Sequence, residues 1–128
     1  MGLDMYLNGG RYFVDRPAGE SKTFAKKSET YELGYWRKHP NLHGYIVQAF
    51  ADGRDECQEI PLDEERLQEI IDAVRAKELP HTTGFFFGAS DGTDEESAHD
   101  VQILQAALEW LRVKEEGIWR TVSYRASW

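Results

Sequence analysis

Residues 93–124, TDEESAHDVQILQAALEWLRVKEEGIWRTVSY, change their hydrophobic period part-way, and that change decides the fold class. Thr93-Asp94-Glu95-Glu96 is a capping box, in which a hydroxyl and a carboxylate three residues later serve the free N–H groups of a helix start. Val101, Leu104, Leu108 and Leu111 then recur at helical spacing as one apolar stripe, and Gly117 closes the element. From Ile118 to Tyr124 the pattern alternates instead, as in a strand with one face buried.

Working outward, the same two periods divide the rest of the chain. Asp63 is an N-cap, and Leu67, Ile70, Ile71 and Val74 line the buried face of a helix that Leu79-Pro80 stops. Leu42, Tyr45, Ile46, Ala49 and Phe50 predict an earlier helix, with Pro40 at its first position and Gly53 past its end. Glu59 to Leu62 reads as a short strand. Gly84-Phe85-Phe86-Phe87-Gly88, an apolar run between turn residues, reads as a central strand buried on both sides. At the N-terminus, Leu3, Met5 and Leu7 alternate with Asp4, Tyr6 and Asn8; Gly9-Gly10 reads as a turn, with Arg11 to Val14 returning as a hairpin partner. Residues 15–30 read as a mobile basic loop, and Tyr31 to Trp36 as extended chain. The sum is one α+β domain over residues 1–128, a mostly antiparallel sheet with about three helices packed on one face.

Composition narrows the function classes. The net charge of −8 argues against a binder of nucleic-acid polymers, whose phosphates demand a basic face. The charge is uneven: residues 1–48 carry seven Lys/Arg against five Asp/Glu, the remainder eight against eighteen. A small anionic ligand therefore fits the N-terminal third. No apolar run is long enough to span a membrane, and no secretory signal opens the chain. The single cysteine, Cys57, cannot form an internal disulfide and suits a reducing compartment, so a cytoplasmic location is expected.

The densest chemistry lies at Tyr35-Trp36-Arg37-Lys38-His39-Pro40-Asn41-Leu42-His43, where cations, imidazoles and large aromatics meet a helix start. The other two helices begin with Asp63-Glu64-Glu65 and Asp94-Glu95-Glu96, whose carboxylates already serve the positive ends. Arg37 suits a bidentate grip on phosphate, and Tyr35 or Trp36 suits stacking on a base. The same residues equally fit a plain alternative, with Tyr35 and Trp36 in the core and Arg37 and Lys38 in solvent. Phe86 is a further candidate for stacking. Arg125 joins the set because Tyr124, Arg125 and Trp128 make an unusual chain end, suited to docking on the core, on another subunit or over a ligand.

Enzyme readings are weaker. His39 and His43 are four apart, but Pro40 disfavours a helical His39 and no third ligand is evident, so no metal and no cofactor are expected. His81-Thr82-Thr83 matches half of a two-histidine phosphoesterase motif, and the second half is missing. Acidic neighbours disfavour a Cys57 thiolate.

The stretches Met1-Gly2-Leu3-Asp4-Met5-Tyr6-Leu7, Gly34-Tyr35-Trp36-Arg37-Lys38 with His43, Gly84-Phe85-Phe86-Phe87-Gly88 and Ser127-Trp128 resemble a family of small proteins encoded by phages and prophages. That resemblance implies a sponge, commonly oligomeric, that sequesters cyclic nucleotide signals of bacterial immune systems such as CBASS in the host cytoplasm. It implies no catalysis. The function expected is thus non-enzymatic binding of an anionic nucleotide through Tyr35, Trp36, Arg37, Lys38 and His43, assisted by Phe86 and Arg125, in a homo-oligomer. The alternative is a phage protein that inhibits a host protein through its acidic surface.

Overall fold

Leu3, Met5 and Leu7 are wholly buried, and the strand that starts just after Leu3 and carries the other two is the backbone of the fold. A computed structural model describes residues 2–14, 18–21, 24–84 and 87–128 of the chain. Its elements run in the order β1 (Asp4–Phe13), β2 (Ala18–Ser21), β3 (Phe24–Ala25), β4 (Ser28–Arg37), α1 (Pro40–Phe50), β5 (Ile60–Pro61), α2 (Glu64–Arg75), α3 (Asp94–Arg112) and β6 (Ile118–Ser127). The main sheet has the order β4-β1-β6-β5, with every pairing antiparallel. The three helices pack on one face of it, and β2 and β3 form a separate small hairpin.

The core lies between that face and the helices. β1 gives it Met5 and Leu7, β6 gives Val122, Tyr124 and Ala126, and β4 gives Trp36. Leu42 and Ile46 come from α1, Leu67, Ile70, Ile71 and Val74 from α2, and Leu104 and Leu108 from α3. The predicted stripe of α2 is its buried stripe, and in α3 Leu104 and Leu108 are buried with Val101 and Leu111 half-buried. In α1 Leu42 and Ile46 are buried as expected, but His43, Gly44 and Val47 are buried where Ala49 is exposed and Tyr45 and Phe50 are half-buried.

The helix starts follow local chemistry. The Asp63 side chain accepts from the Arg66 N–H at 2.8 Å, and Thr93 Oγ1 accepts from the Glu96 N–H at 3.1 Å. The capping box of α3 closes differently from expectation. The Glu96 carboxylate reaches past the N-cap to the N–H groups of Asp91 at 2.7 Å and Gly92 at 3.2 Å. α1 has no side-chain cap of its own; Asn41 N–H donates to Ser90 Oγ at 3.1 Å, from the loop before α3.

Three expectations are corrected. Gly9-Gly10 is no turn: β1 runs through it without a break, paired to β4 and β6 on either side. The Gly9 position lacks a side chain because a Cβ there would sit 2.8 Å from the Trp110 ring and from Leu33 Cδ1. Gly84, Phe87 and Gly88 belong to no strand, and the central strands are β1 and β6; Phe85 and Phe86 lie outside the described residues. Within the loop expected over 15–30, β2, β3 and the first residues of β4 are extended and paired.

Candidate functional site

Strand alternation splits the 35–43 cluster between two faces. In β4, Trp36 points to the helices and is only 5% exposed, with its indole N–H donating to Asp100 Oδ1 at 2.9 Å. Tyr35 and Arg37 point the other way, 41% and, for the Arg37 side chain, 49% exposed. Successive strand residues face opposite sides, so a run of neighbours cannot all meet one ligand.

Register supplies the partners on the open face. Tyr35 lies opposite Tyr6, which lies opposite Arg125; one step along, Arg37 lies opposite Asp4, which lies opposite Ser127. Directly opposed residues share a face, so Arg125, Tyr6 and Tyr35 form one row across three strands, and Ser127, Asp4 and Arg37 form the next. The Tyr6 and Tyr35 rings are 5.3 Å apart and tilted by 50°. Asp4 Oδ1 accepts from the Tyr35 hydroxyl at 2.5 Å and from Arg37 Nη1 at 2.9 Å. The Tyr35 bond, then the Arg37 charge, hold the Asp4 carboxyl below the usual carboxylate range, and the same bond pushes the Tyr35 phenol up. Arg125 Nε donates to the Cys57 carbonyl at 3.1 Å, which fixes its stem.

Lys38 ends β4 with φ +54°, a left-handed conformation uncommon for a residue with a side chain. Its N–H donates to the Leu3 carbonyl at 2.7 Å, and its stem lies so near Gly88 that a Cβ there would sit 3.1 Å from it. Lys38 is exposed and, among the described residues, makes no ion pair.

His43 is buried in a hydrogen-bond chain of its own. Burial pushes the Tyr124 phenol well above its ordinary value, and its hydroxyl lies 2.6 Å from His43 Nδ1; because Nε2 faces a carboxylate, which can only accept, the neutral ring accepts at Nδ1 from Tyr124. His43 Nε2 then carries the ring proton, donated to Asp55 Oδ2 at 2.9 Å, and Asp55 Oδ1 accepts from the Trp128 indole at 3.1 Å. Phe87 packs edge-on against His43 and against Trp128. The unusual chain end thus docks on the core.

His39 is buried too, between Asp100 Oδ2 at 2.7 Å from Nε2 and Ser90 Oγ at 2.7 Å from Nδ1. His39 and His43, one helical turn apart, face different carboxylates and share no ligand atom.

Of the seven candidate residues, Tyr35, Arg37 and Arg125 therefore meet on the open face, Lys38 sits where β4 gives way to α1, and Trp36 and His43 belong to the opposite, packed side. Trp36, a candidate for stacking, and His43, a candidate for ligand contact, are both buried and already hydrogen-bonded within the protein. Phe86 lies outside the described residues. Asp4 and Tyr6 are the members that sequence reading missed. The signal was present, since both occupy the polar phase of the β1 alternation. A cavity of about 750 Å³ between α2 and α3, lined by residues such as Val74, Arg75, Ala98 and Gln102, includes none of the seven.

No family model, curated protein or solved structure matches the chain. No helix among the described residues is long and apolar enough to cross a membrane.

Proposed function

We propose that the protein binds a small anionic nucleotide, of the cyclic dinucleotide class, on the open face of its sheet and acts by holding it. The observation that carries this reading is the pair of rows in which Tyr6 and Tyr35 lie between Arg125 and Arg37 on a face that the helices leave bare. Aromatic rings on a sheet give bases a stacking platform worth about 1–3 kcal/mol per base. Arg37 gives Nη1 to Asp4 and lies beside the Tyr35 hydroxyl, which among the described residues leaves N–H groups of its fork for a phosphate, and Lys38 adds a second positive charge beyond it. The Asp4 carboxylate on this face is already held by the Tyr35 hydroxyl and by Arg37, which favours retention over turnover. Removal of a signalling nucleotide is the use that the resemblance to small phage proteins implies.

Calorimetry with cyclic dinucleotides and mononucleotides tests the proposal, followed by recovery of the ligand after heat denaturation. Intact ligand and a loss of at least about tenfold in affinity for Arg37→Ala and Tyr35→Ala are expected, since a charge-assisted bond or a stacked base is worth that much. A degraded ligand, or a panel with no binding, overturns it. So does an Arg37→Ala variant that binds like the parent.

A further inference from the structure

We propose that His39, Glu96 and Asp100 form a binding site for a first-row divalent cation, with Zn²⁺ the best match. The site lies on the packed side of the sheet, away from the open face, and does not depend on nucleotide binding. His39 precedes α1, and Glu96 and Asp100 stand one turn apart at the start of α3. Their donor atoms all lie within 4.8 Å of one another. His39 Nε2 is 2.7 Å from Asp100 Oδ2 and 3.7 Å from Glu96 Oε1. Nitrogen and oxygen ligands about 2.1 Å from a tetrahedral zinc are roughly 3.4 Å from each other, so the two pairs that His39 makes need shift by less than about 1 Å to admit the ion.

Each of the three side chains is also held from behind. Trp36 donates to Asp100 Oδ1, Ser90 Oγ meets His39 Nδ1, and two backbone N–H groups donate to the Glu96 carboxylate. Such outer partners fix ligand orientation in metal centres. When the ion takes the Nε2 lone pair, the imidazole proton sits on Nδ1 and is donated to Ser90 Oγ, whose own proton then turns away from the ring.

Charge and access favour the same occupant. Asp100 is 1% and Glu96 17% exposed at the side chain, and among the described residues neither pairs with a lysine or an arginine. Two nearly buried carboxyl groups facing a single imidazole leave negative charge that a dication offsets. A cavity of about 100 Å³, lined by His39, Asn41, Lys77, Leu79, Gly92 and Glu96, opens beside the cluster and gives an ion and a bound water room to enter. The imidazole ligand selects zinc over magnesium or calcium, which prefer oxygen throughout.

The test uses the full chain, treated with chelator and titrated with Zn²⁺ by calorimetry, with Mg²⁺ as the comparison. One zinc per chain, a rise in melting temperature and a change in indole fluorescence through Trp36 are expected. Glu96→Gln and Asp100→Asn should each lower zinc affinity at least tenfold while keeping the parent circular dichroism, because the amide oxygen can still accept one of the two backbone N–H groups at position 96 and the Trp36 N–H at position 100. His81→Ala and His99→Ala should bind as the parent does. The proposal is overturned by the absence of saturable one-to-one binding, by undiminished binding in Glu96→Gln, or by loss of binding in either of the exposed-histidine variants.

Discussion

Asp4 Oδ1 accepts two hydrogen bonds, from the Tyr35 hydroxyl and from Arg37, and so competes with any phosphate for the same guanidinium. Asp4→Asn removes that competing charge and should tighten nucleotide binding severalfold; unchanged or weaker binding would show that Arg37 is not the anion contact. The same substitution carries a stability signature. The Tyr35 bond and the Arg37 charge keep the folded Asp4 carboxyl below its usual range. A group depressed in this way stabilises the fold above its unfolded pKa, and the contribution disappears as pH falls through the folded value. Thermal melts of parent and Asp4→Asn should therefore differ most near neutral pH and converge in acid. At this scale the sequence is partly legible. Residues 35–43 announce their chemistry by type, but which of them meet solvent depends on strand parity. Tyr35 and Arg37 fall on one phase and Trp36 on the other, and the partners that claim Trp36, His39 and His43 lie elsewhere in the chain, Asp55 twelve residues from His43 and Asp100, Ser90 and Tyr124 much further off.

Helix α3 packs against β1 and β4 where those strands carry no side chains. A Cβ at Gly34 would stand 2.2 Å from Ile103 Cγ2, far inside any real contact, and one at Gly9 would strike Trp110. Gly34→Ala should therefore destabilise the protein by about 1–3 kcal/mol, the usual range for forcing extra volume into a packed interface. Adding Ile103→Ala should recover part of that loss. Urea unfolding of the two single variants and the double variant measures the coupling, and a strictly additive result would mean that the helix does not approach the strand this closely. These glycines also explain what the sequence hides. A Gly-Gly pair between alternating segments carries the signature of a hairpin turn, and the same pair serves when a tryptophan from a helix must lie on the strand. Only the tertiary partner distinguishes the two uses. The helix starts are legible, because Pro40 opens α1 and Asp63 and Thr93 cap α2 and α3; the ends come earlier than the residues expected to stop them, at Arg75 before Leu79-Pro80 and at Arg112 before Gly117.

The sheet joins the two ends of the chain. Asp4 pairs with Ser127 and Phe13 with Ile118, so the two central strands lie more than a hundred positions apart in sequence. Hydrophobic period marks much of β1 and β6 but not which strand neighbours which, and strand order is the least legible feature of this fold. The same separation governs folding. β1 has β4 on one side and β6 on the other, and β5 pairs with β6. Val122, Tyr124 and Ala126 of β6 complete the core under the helices. The entropy of closing so long a loop must be met before the β1–β6 contacts repay it, and such non-local pairing slows folding. Stopped-flow refolding followed by tryptophan fluorescence should accordingly fall in the milliseconds-to-seconds range rather than the microseconds of a helical bundle. A chain cut after Gly117 retains all three helices yet lacks the strand they pack upon. It should show little cooperative thermal unfolding and bind the dye ANS, as chains with helices but no fixed packing do. If it melts as sharply as the full chain, β6 is an addition to an independent core, and the sheet cannot be the frame that positions Arg125 beside Tyr6.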